Sequence, residues 1–223
     1  MTGTKHGVSA LGLQRLLGLG SYETAWSVLH KLRRAMVRPG RDRLSGEVEV
    51  DETAIGASQP GRRGRGSFAE KAIVAIAVKS KPRGACGRVR LVRIRDCSGP
   101  TLSGFVSDAV APGSVVYTDH WDGYRGLRDH GYLHHATSLN ASGDPAHGAM
   151  PRVHRVSALL KRWLLGTHQG AARPHQLDFY LDEFAFRFNR RSSRQRGLLF
   201  YRLLEQAAQI DHIPIAAITG GRR

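Results

Sequence analysis

The chain has 223 residues, 41% of them hydrophobic, and carries 34 Lys and Arg against 18 Asp and Glu for a formal charge of +16. That length holds one medium domain with a small appendage, and the apolar fraction excludes wholesale disorder. The charge implies a polyanionic partner. Nucleic acid is favoured over a membrane surface, because the basic residues are spread over several elements and not gathered on one amphipathic helix. No run approaches the roughly 18 consecutive apolar residues of a membrane span, and the N-terminus lacks a signal-peptide core. Cys86 and Cys97 stand outside metal-ligand spacing and are too few for a disulfide scaffold. The expected setting is soluble, reducing and cytoplasmic.

In chain order, Ser9 to Leu17 predicts a short helix broken by Gly18-Leu19-Gly20. Ser21 is placed to cap a second helix, with Glu23 in its first turn and Ala25, Leu29, Leu32 and Met36 at helical spacing. Helix, glycine turn and longer helix outline a helix-turn-helix over residues 1–38, whose polar face offers Thr24, His30, Lys31, Arg33 and Arg34. Many helical hairpins share that outline, so packing alone also accounts for it. Residues 39–45 read as a linker. Val48 and Val50 then alternate with Glu47, Glu49 and Asp51, the two-residue period of a strand with one buried face. The alternation stops at Asp51-Glu52.

Residues 57–68 form a polar stretch in which Arg62, Arg63 and Arg65 stand among glycines, read as a basic finger on DNA phosphates. Strands come next over 71–79, apolar on both faces, and 87–96, making an antiparallel meander with the first. A helix over 101–110, a strand over 114–119 ending in Asp119, a helix over 121–130 and a short strand over 132–137 continue the order. After a loop at 138–151, a helix over 153–165 presents Val153, Val156, Leu160 and Trp163 on one face, with Gly166 in position to end it. Pro174 opens a strongly periodic helix with the apolar stripe Leu177, Tyr180, Leu181, Phe184 and Phe188. A last helix spans 198–206, and 209–223 reads as a tail. The order predicts an α/β fold: a mixed sheet flanked by helices over 46–208.

Two strands end in aspartates. If they are neighbours, Asp51 and Asp119 face each other across a narrow gap and repel unless a cation sits between them. Mg²⁺ or Mn²⁺ suits such oxygen ligands, and two ions roughly 3.5–4 Å apart serve phosphodiester displacement. A third ligand is expected from a helix. His154 is one candidate, with Lys161 two turns on along the same face to hold a phosphate. A lone helical histidine is usually just a satisfied surface or core group, so spacing alone does not select it. Glu183 is the fallback carboxylate, although Arg187 at i+4 favours a surface ion pair there. Glu52 points to the opposite side of the strand from Asp51.

Asp51-Glu52-Thr53-Ala54-Ile55-Gly56, Tyr117-Thr118-Asp119-His120-Trp121-Asp122-Gly123-Tyr124 and the run from His154 to His168 resemble the core blocks of the ISXO-type insertion-sequence transposases. The run from Tyr180 to Arg191 is similar to that family's closing signature, and Ser21 to Trp26 to its helix-turn-helix region. The family belongs to the DDE transposases, so the resemblance implies a ribonuclease-H-like fold, divalent metal, and action on double-stranded DNA at element ends and target. Its third catalytic position varies among Glu, Asn and His. Counting back from the lysine, the resemblance implies an Asp51–Asp119–His154 metal-binding set with Lys161 beside it. Arg62, Arg63, Arg65, Lys161, Arg162, Lys31, Arg33 and Arg34 are the expected DNA contacts. Bringing two element ends together implies a homo-oligomer on DNA, with no membrane partner. Family members begin with a cysteine-rich zinc ribbon, whereas this chain begins almost at the helix-turn-helix, the mark of a truncated start or a remnant copy. The alternative function is a copy that binds DNA without cutting it.

Overall fold

The alternation of Val48 and Val50 with Glu49 and Asp51 is realised in a computed structural model that describes residues 7–38, 40–56, 71–137, 150–168 and 174–220. The chain divides into two compact units, residues 42–161 and residues 1–41 with 162–223. The division is not a single cut along the sequence, because the helices after residue 161 group with the N-terminal pair. No helix among the described residues is long and apolar enough to cross a membrane.

The first unit is built on a five-stranded mixed sheet in the order β3-β2-β1-β4-β5. Strands β1 (Glu47–Ile55), β2 (Ala72–Ser80) and β3 (Cys86–Ile94) form the expected antiparallel meander. β1 does not end in Asp51, as the alternation suggests, but continues four residues further, because Glu52 to Ile55 keep pairing with Ala75 to Ala72 of β2. β4 (Val115–Asp119) lies parallel beside β1, and β5 (Leu133–Thr137) parallel beside β4. Three antiparallel strands extended by two parallel ones, with helices against the sheet, is the ribonuclease-H-like arrangement. Register pairs Val50 with Ala77 and Asp51 with Ile76, which sorts the residues of β1 onto two faces. Val48, Val50, Ala75 and Ala77 join Leu102, Phe105, Val106 and Ala109 of helix α3 (Gly99–Ala109) in one buried cluster. Tyr124 and Leu127 join it from a short 3-10 turn, Asp122–Leu127, which stands where a longer helix was expected. The opposite face carries Glu49 and Asp51.

Helix α4 (Pro151–His168) runs past Gly166, the residue expected to end it. Glycine inside a helix costs only about 1 kcal/mol relative to alanine. Val153, Val156, Leu160 and Leu164 are buried along the helix, and burial on that scale outweighs one weak position.

In the helical unit, α1 (Ala10–Leu17) is capped by the Ser9 hydroxyl, which accepts from the Gly12 amide at 3.0 Å. It ends at Gly18 in the left-handed conformation, where φ is 64° and a side chain would be strained. The Ser21 hydroxyl accepts from Thr24 at the start of α2 (Tyr22–Ala35). Ala35 and Met36 meet Phe186 and Leu203, which lie on α5 (Leu177–Asn189) and α6 (Arg196–Gln209). The five stripe residues of α5 are all buried as the period predicts. The stretch read as a tail contains a short helix, α7 (Ile215–Thr219), whose Ile218 is fully buried.

The polar face assigned to α2 is only partly polar in its surroundings. His30 and Arg33 are buried, whereas Leu32 is half-buried. Arg33 donates from Nε to Glu183 Oε2 at 2.7 Å and stacks 4.4 Å from the Tyr180 ring, with its whole side chain 2% exposed. Glu183 takes a second guanidinium, Arg187 Nε, at 2.8 Å. The i,i+4 pair expected on the surface is therefore present but interior, since Arg33 converges on the same carboxylate.

A buried charge left without its partner costs about 3–5 kcal/mol. Glu183→Ala strands the buried Arg33 guanidinium and takes a partner from the half-buried Arg187, and is expected to lower the unfolding free energy by about that amount. Urea unfolding followed by far-UV circular dichroism measures it. A variant as stable as the parent chain removes this ion triad from the forces holding α2 to α5.

Candidate active site

The two aspartates are brought together by the parallel pairing of β1 and β4. Register matches Glu47 with Val115, Val48 with Val116 and Glu49 with Tyr117. The same offset, continued two residues, sets Asp51 level with Asp119 at the carboxyl end of β4. Pleat parity places both on one face. Asp119 is anchored through the turn beyond the strand. Its Oδ1 accepts from the Trp121 amide at 3.2 Å, and the Trp121 indole N–H donates to the Cys97 carbonyl at 2.8 Å. The buried Thr118 hydroxyl donates to the Asp119 carbonyl at 2.7 Å and meets His134 Nε2 at 2.8 Å, tying the end of β4 to β5.

His154 arrives in the first turn of α4. Its Nδ1 stands 3.7 Å from Asp51 Oδ2, with the two side chains 21% and 18% exposed. Lys161 lies two turns later on the exposed side. Partial burial lowers its pKa, the Asp51 carboxylate opposes that shift, and Lys71 adds to it, so both groups lie within electrostatic reach of the ammonium. Asp51, Asp119, His154 and Lys161 are therefore gathered beside the carboxyl end of β4, level with the middle of β1.

Asp51 is the electrostatic centre of this group. Burial, then the Glu52 and Asp119 carboxylates, push its pKa up to about 8. Glu52 does point to the other face, opposite Ala75 of β2, but it is buried and still acts on Asp51. Tyr124 is fully buried on that side, and its phenol is held well above its ordinary pKa by burial and then by Glu52, Asp51 and Asp119. Neither Glu52 nor Tyr124 was expected to bear on the site. An acidic residue just past the last strand alternation was the available signal.

Oxygen donors crowded in a poorly solvated place are the chemistry that a hard divalent cation relieves, and an imidazole beside them suits Mn²⁺. By chemistry, two carboxylates and an imidazole are donors that such an ion accepts. Among the described residues, no group of three or more His, Cys, Asp or Glu side chains stands together as a metal site. Glu183 belongs elsewhere, committed to Arg33 and Arg187 in the helical unit.

The expected DNA contacts separate. Arg62, Arg63 and Arg65 lie outside the described residues. Arg162 is exposed and Lys31 half-buried. Arg34 is 55% exposed and donates to Asp182 at 2.9 Å. Arg33 is withdrawn into its ion pair and offers nothing to a phosphate, because the helix period that put it beside Arg34 turned it inward.

A family model described as an ISXO2-like transposase domain matches residues 43–189. No curated protein matches the chain. Among solved structures, the catalytic core domain of BIV integrase is similar at 15% identity, over 74% of this chain and 99% of that one, with a TM-score of 0.41. The simian T-cell lymphotropic virus intasome in complex with the PP2A regulatory subunit B56 gamma is similar at 15% identity, over 92% of this chain and 74% of that one, with a TM-score of 0.43.

The raised pKa of Asp51 has a sign that can be checked in chelator. A carboxyl whose folded pKa lies above its ordinary 3.8 ionises first in the unfolded chain, so stability falls as pH rises from about 4 to about 8. Asp51→Asn is expected to flatten that decline. Thermal melts across this range in EDTA test it, and an unchanged pH profile contradicts the burial argument.

Proposed function

Because the chain belongs to the ISXO2-like transposase family, we propose that it is a metal-dependent DNA transposase that cuts phosphodiesters at the ends of a mobile element and joins them to target DNA. The observation that carries this reading is the gathering of Asp51, Asp119 and His154 beside the carboxyl end of β4, with Asp51 and His154 at 3.7 Å. These three residues would hold Mg²⁺ or Mn²⁺, in a pair. When bound, the ions supply the charge that activates an attacking oxygen and stabilises the leaving one. The protein's own share is positional. β1 and β4 hold two carboxylates level, and α4 sets the imidazole beside Asp51. Lys161 reaches over the same place to hold a backbone phosphate as a point charge.

DNA would be gripped mainly through charge. Arg62, Arg63, Arg65 and Arg162 are assigned to the phosphate backbone, and residues 1–38 to element-end recognition through the exposed side of α2, with Lys31 and Arg34. Residues 46–208 form the catalytic domain in this scheme, joined by 39–45. Two element ends must be held at once, so the working form is a homo-oligomer on double-stranded DNA.

Asp51→Asn and Asp119→Asn are each expected to abolish Mn²⁺-dependent nicking of element-end DNA while leaving DNA binding intact. Cleavage and strand-transfer gels beside a mobility-shift titration read both properties, and nicking equal to the parent chain sinks the proposal. Lys161→Ala should weaken DNA binding at all sequences alike and reduce the slope of log K against log salt by about one. An unaltered slope takes Lys161 off the phosphate.

A further inference from the structure

β1 carries another carboxylate on the face of Asp51. Glu49 lies two residues earlier, and the strand period points both side chains the same way. The Glu49 side chain is 3% exposed and is taken up by the first turn of α4. Its Oε2 accepts from the backbone N–H of Arg152 at 2.8 Å and of Val153 at 2.8 Å. Its Oε1 accepts from Arg152 Nη1 at 2.7 Å. A helix leaves its first N–H groups without intrahelical acceptors, and here two of them end on one carboxylate from a different element. The positive end of the helix dipole and the guanidinium strengthen the attachment, and each of the three bonds is charge-assisted.

The next residue after this anchor is His154. We infer that Glu49 is a positioning residue of the active site: by capping α4 from β1, it fixes the distance between His154 and Asp51. Both ends of the contact are defined by short chain segments. Glu49 and Asp51 are separated by one residue of a strand paired on both sides, and Val153 and His154 are adjacent in a helix turn. Length and charge both matter. Aspartate at 49 is one methylene short of the helix, and glutamine replaces an acceptor with an amide donor facing three N–H donors. The inference rests on the reading of Asp51, Asp119 and His154 as the metal-holding set, and reaches past it to the residue that assembles the set.

The test uses the full chain with Glu49→Gln, and Glu49→Asp as the second variant should the first fail to fold. Two readouts are taken. Without metal, NMR tracks amide exchange at Arg152 and Val153 and the ring resonances of His154. With Mn²⁺ added, paramagnetic broadening of the His154 ring and the apparent Mn²⁺ affinity are measured. The variant is expected to exchange faster at the two amides and to move the His154 resonances toward those of an exposed histidine. It should also bind Mn²⁺ about 10–100-fold more weakly, as loss of a ligand-orienting group does. Arg152→Gln, which keeps both backbone bonds, should lose less affinity than Glu49→Gln. A Glu49 variant with lowered global stability but unchanged His154 resonances and Mn²⁺ affinity overturns the inference and leaves Glu49 a structural cap. Should Mn²⁺ fail to broaden His154 in the parent chain, the metal reading falls, while the metal-free resonances still decide whether Glu49 places His154.

Discussion

The structure turns on acidic side chains buried in a central strand. β1 is flanked by β2 and β4, so carboxylates along it cannot swing out to an edge. Taking an ion out of water costs several kcal/mol unless charge or hydrogen bonds compensate. Three acidic positions on β1 meet that demand differently. Glu49 is compensated fully, by a guanidinium and two helix N–H groups. Glu52, on the other face, lies within electrostatic reach of the buried Tyr124 phenol. Asp51 lies between them with other carboxylates in its field, and its pKa is pushed up to about 8.

Each of these neighbourhoods involves a second element. The Glu49 anchor sets the start of α4, and with it His154. On the Glu52 side, Tyr124 belongs to the turn at Asp122–Leu127, packed into the cluster beneath the sheet, and that turn begins directly after Trp121, whose amide holds Asp119. The residues that look merely structural in this unit thus surround Asp51 from both faces. The electrostatic cost they leave on Asp51 is the property the proposed cation site uses.

Much of this was legible in the sequence, and the losses have definite causes. Period two in Val48–Asp51 separated Asp51 from its apolar neighbours, but the facing of Asp51 and Asp119 stayed conditional on their strands being neighbours, a condition that the pairing of β1 with β4 meets. The order of strands and helices predicted the mixed sheet. Period alone could not say which partner a polar residue meets. Arg33 and His30 sit on a face that reads as basic and solvated, yet Glu183, distant in sequence, draws Arg33 inward. Glu49 reads as the solvated half of an alternation, yet a helix N-terminus from far along the chain covers it. Gly166 reads as a stop because local propensity favours one, and the buried row of α4 overrides it. His154 could not be chosen by spacing; the family resemblance singled it out, and the fold puts it 3.7 Å from Asp51.

The contrast between Glu183 and Asp51 sets the fallback carboxylate apart from the aspartate. Both are shielded from water. Glu183 is met by two guanidiniums at 2.7 and 2.8 Å, fixed charges that deprotonation cannot remove at any ordinary pH. A carboxylate so matched has no affinity to spare for a metal ion, and moving it would strand Arg33. Asp51 has Glu52 and Asp119 in its field, an imidazole at 3.7 Å and the Lys161 ammonium within electrostatic reach, but no guanidinium among the described residues is bonded to it. Its negative charge is costly to keep in the folded chain, which is the condition under which a cation binds with most gain. Bonded guanidiniums therefore make Glu183 a fastening of the helices, whereas Asp51, with carboxylates and an imidazole as its near neighbours, keeps the unrelieved charge cost on which the proposed cation site rests.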